Sequence, residues 1–77
     1  MDKKIIGMFA QEYLKEHATV SEYDLQKFIA ERPEVKNILP LVDISVALDE
    51  SYNRGELDIV FADSEISVYR KAKNGSH

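Results

Sequence analysis

Cysteine is absent from the 77-residue chain, which excludes both a disulfide framework and a thiolate zinc site as sources of stability. Glycine occurs three times and proline twice, too sparsely for a collagenous or low-complexity segment. Gly7, Gly55 and Gly75 stand far apart, so no glycine-rich loop exists to cradle a phosphate. No apolar run approaches the roughly 20 residues that span a bilayer, and no segment carries the Lys/Arg-rich face of an interfacial helix. The run Ile5-Ile6-Gly7-Met8-Phe9-Ala10 has the look of a signal-peptide core, but Gln11 and Glu12 interrupt it, and it reads as mature helix.

Histidine is limited to His17 and His77, and neither has neighbours in sequence that would orient it as a base beside Ser or Thr. Glu12 and Glu16 share a helical face, but no third ligand joins them in sequence; a solvated face accounts for them. The expectation is therefore a non-catalytic, soluble, cytoplasmic protein with no cofactor, no metal and no membrane attachment.

What is present is an ordinary globular composition, 44% hydrophobic and 31% charged, enough to specify a fold. A chain this short buries only about 60% of the surface it exposes when unfolded, so the core is small. One domain is expected over residues 1–72, with 73–77 a polar, flexible tail or a remnant of cloning.

Ile6, Phe9, Ala10, Tyr13 and Leu14 recur at helical spacing and predict a first helix over about Lys3–Glu16. His17 is expected at its end, complementing the helix dipole. Ser21 with Asp24 three residues on forms a short-armed capping box, and Val20 with Leu25 a hydrophobic staple; a second helix follows over about Glu22–Glu31, closed by Pro33. The connection Pro33–Leu39 keeps three apolar residues and reads as a packed turn. Pro40 suits a helix start, and Leu41, Ile44, Ala47, Leu48, Ser51 and Tyr52 form a third apolar stripe that stops before Gly55.

After Gly55 the period changes to two. Leu57, Ile59 and Phe61 alternate with Asp58 and Val60, and Ile66 and Val68 alternate with Ser67 and Tyr69. Two strands joined through Ala62-Asp63-Ser64-Glu65 are expected. The expected core is Phe9, Leu14, Leu25, Phe28, Ile44 and Leu48, with Leu57, Ile59 and Ile66 beneath the hairpin. Tyr13 and Tyr52 belong at core edges. Tyr69, on the strand face opposite Ile66 and Val68, is expected to form an exposed apolar spot with Val60.

Three helices followed by a two-stranded hairpin is an α+β arrangement that resembles the winged helix-turn-helix superfamily. The stretch from Ile44 to Leu57, which carries Gly55 between helix and hairpin, resembles its recognition helix running into the wing. The resemblance covers roughly residues 3 to 70 and implies that the third helix enters the DNA major groove while the wing crosses the backbone. Two features depart from it. The link between the second and third helices is longer than a tight helix-turn-helix allows. The charge also has the wrong sign for phosphate: Asp43, Asp49, Glu50, Glu56, Asp58, Asp63 and Glu65 face Arg54 alone, seven carboxylates against one cation, a net of minus six.

The reading that follows is a winged-helix-like adaptor or regulator. It binds a protein with a basic site through those seven acidic residues and Tyr69, in a sharper form as a mimic of nucleic acid on a DNA-binding protein. The alternative is a transcriptional regulator, dimeric, that contacts DNA through a basic patch from the two ends of the chain: Lys3, Lys4, Arg70 and Lys71, with Arg54 from the wing. A structural subunit of a larger assembly is not separable from the first reading by sequence.

Overall fold

The computed structural model describes residues 1–73; the tail expected from residue 73 onward lies, beyond that residue, outside the described part. The order of elements is α1 (Lys3–Tyr13), β1 (Val20–Ser21), α2 (Glu22–Ala30), α3 (Leu41–Asn53), β2 (Leu57–Ala62) and β3 (Ser67–Lys71). The α+β class and the three helices are as expected, but the sheet has three antiparallel strands in the order β1-β3-β2. The added strand lies between the first two helices. Val20 pairs with Tyr69 and Ser21 with Val68.

Local chemistry accounts for each helix boundary. Asp2 caps α1, its carboxylate accepting from the Lys4 N–H at 2.9 Å. The helix ends at Tyr13, earlier than the expected Glu16, because the Lys15 and Glu16 amides donate to carbonyls only three residues back, the tightened geometry of a fraying turn. His17 is consequently not in a last helical turn; its ring stacks on Tyr13 at 4.0 Å. The capping box of α2 is complete even with the short aspartate: the Asp24 N–H donates to Ser21 Oγ and the Ser21 N–H donates to Asp24 Oδ2, each at 3.1 Å.

Pro40 is the N-cap of α3. At its other end Gly55 adopts φ 80°, a left-handed conformation that side-chain-bearing residues resist. There the Gly55 N–H donates to the Tyr52 carbonyl and the Glu56 N–H to the Ser51 carbonyl, a complete Schellman termination.

Helix α3 packs against α1, α2 and β2. Ile6, Ala10, Val20, Leu25, Ile29, Ile44, Ala47, Leu48, Leu57 and Tyr69 form the core. Of the expected core residues, Leu25, Ile44, Leu48 and Leu57 are enclosed, whereas Phe9, Leu14, Phe28 and Ile66 are half-buried and Ile59 is 40% exposed. Phe9, Leu14 and Phe28 pack on the core's edge. There Phe28 meets Phe9 and Tyr13 edge-to-face, and the Arg32 guanidinium lies 4.7 Å from the Phe28 ring centroid while pairing with Glu12. In the Pro33–Leu39 connection Val35 and Leu39 are half-buried, and the Leu39 carbonyl accepts from Gln26 Nε2 at 2.8 Å.

Tyr69 corrects an expectation. It is buried, 3% exposed, rather than a surface spot. Strand β3 is the middle strand, and Tyr69 lies level with Val20 on one side and Ile59 on the other; the alternation of Ile66 and Val68 pointed to the wrong face. No helix among the described residues is long and apolar enough to cross a membrane.

Candidate interaction surface

Two elements build the surface that the sequence singled out: the outward side of α3 and the hairpin β2–β3. On α3, Ile44, Ala47, Leu48 and Ser51 turn inward. The 3.6-residue period then leaves Val42, Asp43, Val46 and Asp49 on the outside, all exposed. Tyr52, expected at a core edge, is also exposed. On the hairpin the ladder slips by one residue between Ile59 and Phe61: Ile59 pairs with Tyr69, but Phe61 pairs with Val68. Val60 is the extra residue of this bulge, and the slip turns Phe61 away from the face that Ile59 and Tyr69 share. Ile59, Val60 and Phe61 are therefore exposed in succession.

The seven carboxylates are not equivalent. Glu50 meets Lys3 at 3.6 Å, Glu56 meets Arg54 at 3.1 Å, and Asp58 meets Arg70 at 3.8 Å. Lys3 and Arg70 come from outside the Asp43–Glu65 stretch, and with both counted its net charge falls from minus six to minus four. Asp63 organises the hairpin loop: its Oδ1 accepts from the Glu65 and Ile66 N–H groups at 2.8 and 2.9 Å. Those two bonds hold its carboxyl below the ordinary aspartate range. Asp43, Asp49 and Glu65 are exposed and without an ion-pair partner among the described residues.

Sequence reasoning missed a buried carboxylate. Glu22, at the first position of α2, reaches across to accept the Ser67 N–H at 2.9 Å, fastening the start of β3 to the helix. Nothing in the local pattern announces this, since the partners are 45 residues apart. Burial is also the main reason the Tyr69 hydroxyl titrates above its ordinary value; a hydrogen bond with Ser67 opposes it, while Glu22, Asp49 and Tyr52 add to it.

The cations proposed for DNA divide into two groups. Lys3 and Arg70 are paired with Glu50 and Asp58. Lys4, Arg54 and Lys71 line one open groove of about 640 Å³, beside Gly7, Met8 and Glu56. Within it Arg54 is already engaged, bonded to Glu56 and, through Nη2, to Ser51 Oγ at 3.1 Å; the bond to Glu56 holds its guanidinium still more firmly protonated. Lys4 and Lys71 thus share a groove, and they supply the charge in it that has no ion-pair partner among the described residues.

Among the described residues the buried serine hydroxyls have structural partners, Ser21 with the Asp24 N–H and Ser51 with Arg54. Among the described residues no group of three or more His, Asp or Glu side chains is placed to hold a metal ion. No family model, no curated protein and no solved structure matches this chain.

Proposed function

We propose that this chain is a winged-helix-like adaptor or regulator that acts by binding another protein through α3 and the hairpin. The order of three helices with the third running through Gly55 directly into a hairpin supports the winged-helix reading. The observation that carries the choice of partner is the outward side of α3. It presents Val42 and Val46 beside Asp43 and Asp49, and the cations that meet its C-terminal end are engaged, Arg54 by Glu56 and Ser51 and Lys3 by Glu50. Phosphate recognition needs free cations, whereas exposed apolar residues among carboxylates suit a protein with an apolar, basic site. A nucleic-acid-binding protein is the sharper form of that partner, with the acidic helix occupying its groove.

A second reading keeps a specific support: Lys4 and Lys71 line one groove with Arg54, so the ends of the chain would be the DNA contacts of a dimeric regulator.

One pair of measurements separates the two. Titration of a labelled DNA duplex at low salt is expected to give no saturable binding; tight, salt-dependent binding lost on Lys4→Ala with Lys71→Ala would replace the first reading by the second. Partners recovered from the host and then purified are expected to bind Val46→Ser more weakly. They should also associate more slowly with Asp49→Lys, most clearly at low ionic strength, because charge steering acts on the association rate. Equal binding by both variants and the original chain would remove α3 as the contact surface.

A further inference from the structure

The sheet order β1-β3-β2 leaves β2 an edge strand. Its six residues, Leu57–Ala62, extend roughly 20 Å at about 3.4 Å per residue, and no strand among the described residues covers their outer side. Natural edges are commonly blunted by lysine, proline or a very short strand. The opposite edge fits that pattern, β1 being two residues long. The β2 edge contains neither lysine nor proline and exposes Ile59, Val60 and Phe61 in succession. The register slip at Val60 adds local twist, one means by which edges are blunted, but places no charge on the edge between Asp58 and Asp63.

The charge along this edge is uneven. At the Leu57 end, Glu56 and Asp58 are answered by Arg54 and Arg70. At the Ala62 end, Asp63 and Glu65 have no cation beside them among the described residues. A ligand laid along β2 would therefore meet apolar side chains in its middle and unanswered negative charge at one end only.

We propose that the free edge of β2 docks an extended segment of a partner protein, apolar in its centre and basic at its N-terminal end, added as a fourth, antiparallel strand. Antiparallel addition continues the ladder already present and brings the N-terminal end of the segment beside Asp63 and Glu65. A second copy of this chain suits the edge less well. Antiparallel pairing of two β2 strands would set Glu56 and Asp58 of one copy, their cations already engaged, near Asp63 and Glu65 of the other, between molecules that each carry a net charge of −4. The proposal rests on the protein-binding reading above and names the mode and chemistry of the partner.

The test uses the full chain, isotopically labelled, and a synthetic capped peptide of sequence Lys-Arg-Lys-Val-Thr-Val-Thr-Val, with a control in which the three basic residues stand at the other end. Binding of the first peptide should protect alternate backbone amides of β2 from hydrogen exchange, those not already bonded to β3. Affinity should fall about threefold or more between low and moderate salt, and by a similar factor for Glu65→Lys, because the contact at that end is electrostatic. No binding, equal binding of the control, or shifts confined to Val42 and Val46 would overturn the proposal. So would concentration-dependent self-association in sedimentation with the same β2 amides protected in the absence of peptide, which makes a second copy the occupant. Failure of the peptide while host partners still depend on Val46 removes strand addition alone; peptide binding with no dependence of partners on Val46 or Asp49 removes the α3 reading instead.

Discussion

Gly7 of α1 and Ser51 of α3 meet so closely that a methyl group on Gly7 would stand 2.8 Å from Ser51 Oγ and 3.5 Å from Arg54 Nη2. The serine hydroxyl has little freedom to withdraw, because Ser51 is fully buried and its Oγ accepts from Arg54. Alanine is favoured over glycine inside a helix by about 1 kcal/mol, yet overpacking a tight contact costs about 1 to 3 kcal/mol. Gly7→Ala is therefore expected to destabilise the protein on balance, and the same substitution in a Ser51→Ala background to stabilise it. Denaturant unfolding of the four proteins in this cycle checks the reversal of sign; Gly7→Ala stabilising in both backgrounds would show that the two helices do not touch there.

Leu48 is fully enclosed between the helices and the sheet. Leu48→Ala should cost about 2 to 5 kcal/mol, a large share of what a domain this small possesses. Chemical denaturation followed by circular dichroism measures it, and a loss below about 1 kcal/mol is incompatible with a core position.

Removing the Glu22 carboxylate should leave the Ser67 N–H without its acceptor. Glu22→Ala is expected to destabilise by about 1 to 3 kcal/mol and to speed hydrogen exchange at Ser67. Glu22→Gln, which keeps an acceptor oxygen, should lose less. Equal losses for the two variants would mean that the hydrogen bond is not what the side chain contributes.

Asp63 carries a dependence on pH. Its folded-state carboxyl is held below the ordinary range by the Glu65 and Ile66 N–H groups, so the stabilisation it gives is present above the unfolded-state value and is lost as pH falls through the folded one. A carbon-detected titration should find the Asp63 midpoint below those of exposed aspartates, with the protection of the Glu65 and Ile66 amides, relative to their intrinsic exchange rates, falling over that same acid range. Asp63→Ala should abolish this pH dependence of protection, the loop then being open at every pH.

The parts of this fold that were legible in the sequence are those set by neighbouring residues. Ser21 with Asp24 marked the start of α2, and Pro40 with Gly55 bracketed α3, because capping and termination act over a few positions. Strand β1 was not legible: two residues are too few to show alternation, and Val20 and Ser21 already had local roles as staple and cap. The bulge at Val60 misled the reading of the hairpin, since a slip of one residue exchanges faces, sending Phe61 outward. The burial of Tyr69 followed from the unseen β1 strand beside it. The charge count on the acidic surface was correct as arithmetic, but the pairing of Lys3 with Glu50 and Arg70 with Asp58 depends on tertiary approach that no local pattern encodes.

Strand β3 lies between two partners, one of which, β1, precedes it by almost fifty positions in the chain: Val20 lies beside Tyr69. A pairing so distant must await the closing of a long loop, which makes it late and slow compared with the helices. During synthesis the three helices emerge before the strand that joins the sheet together, and until Tyr69 arrives Val20 has no neighbour across the ladder and Leu57 lacks a completed sheet around it. The nascent chain thus exposes two strand segments with open edges and apolar side chains at the stage when it is least able to bury them, and the interval before Val68 and Tyr69 insert is when mispairing with other chains is most favourable.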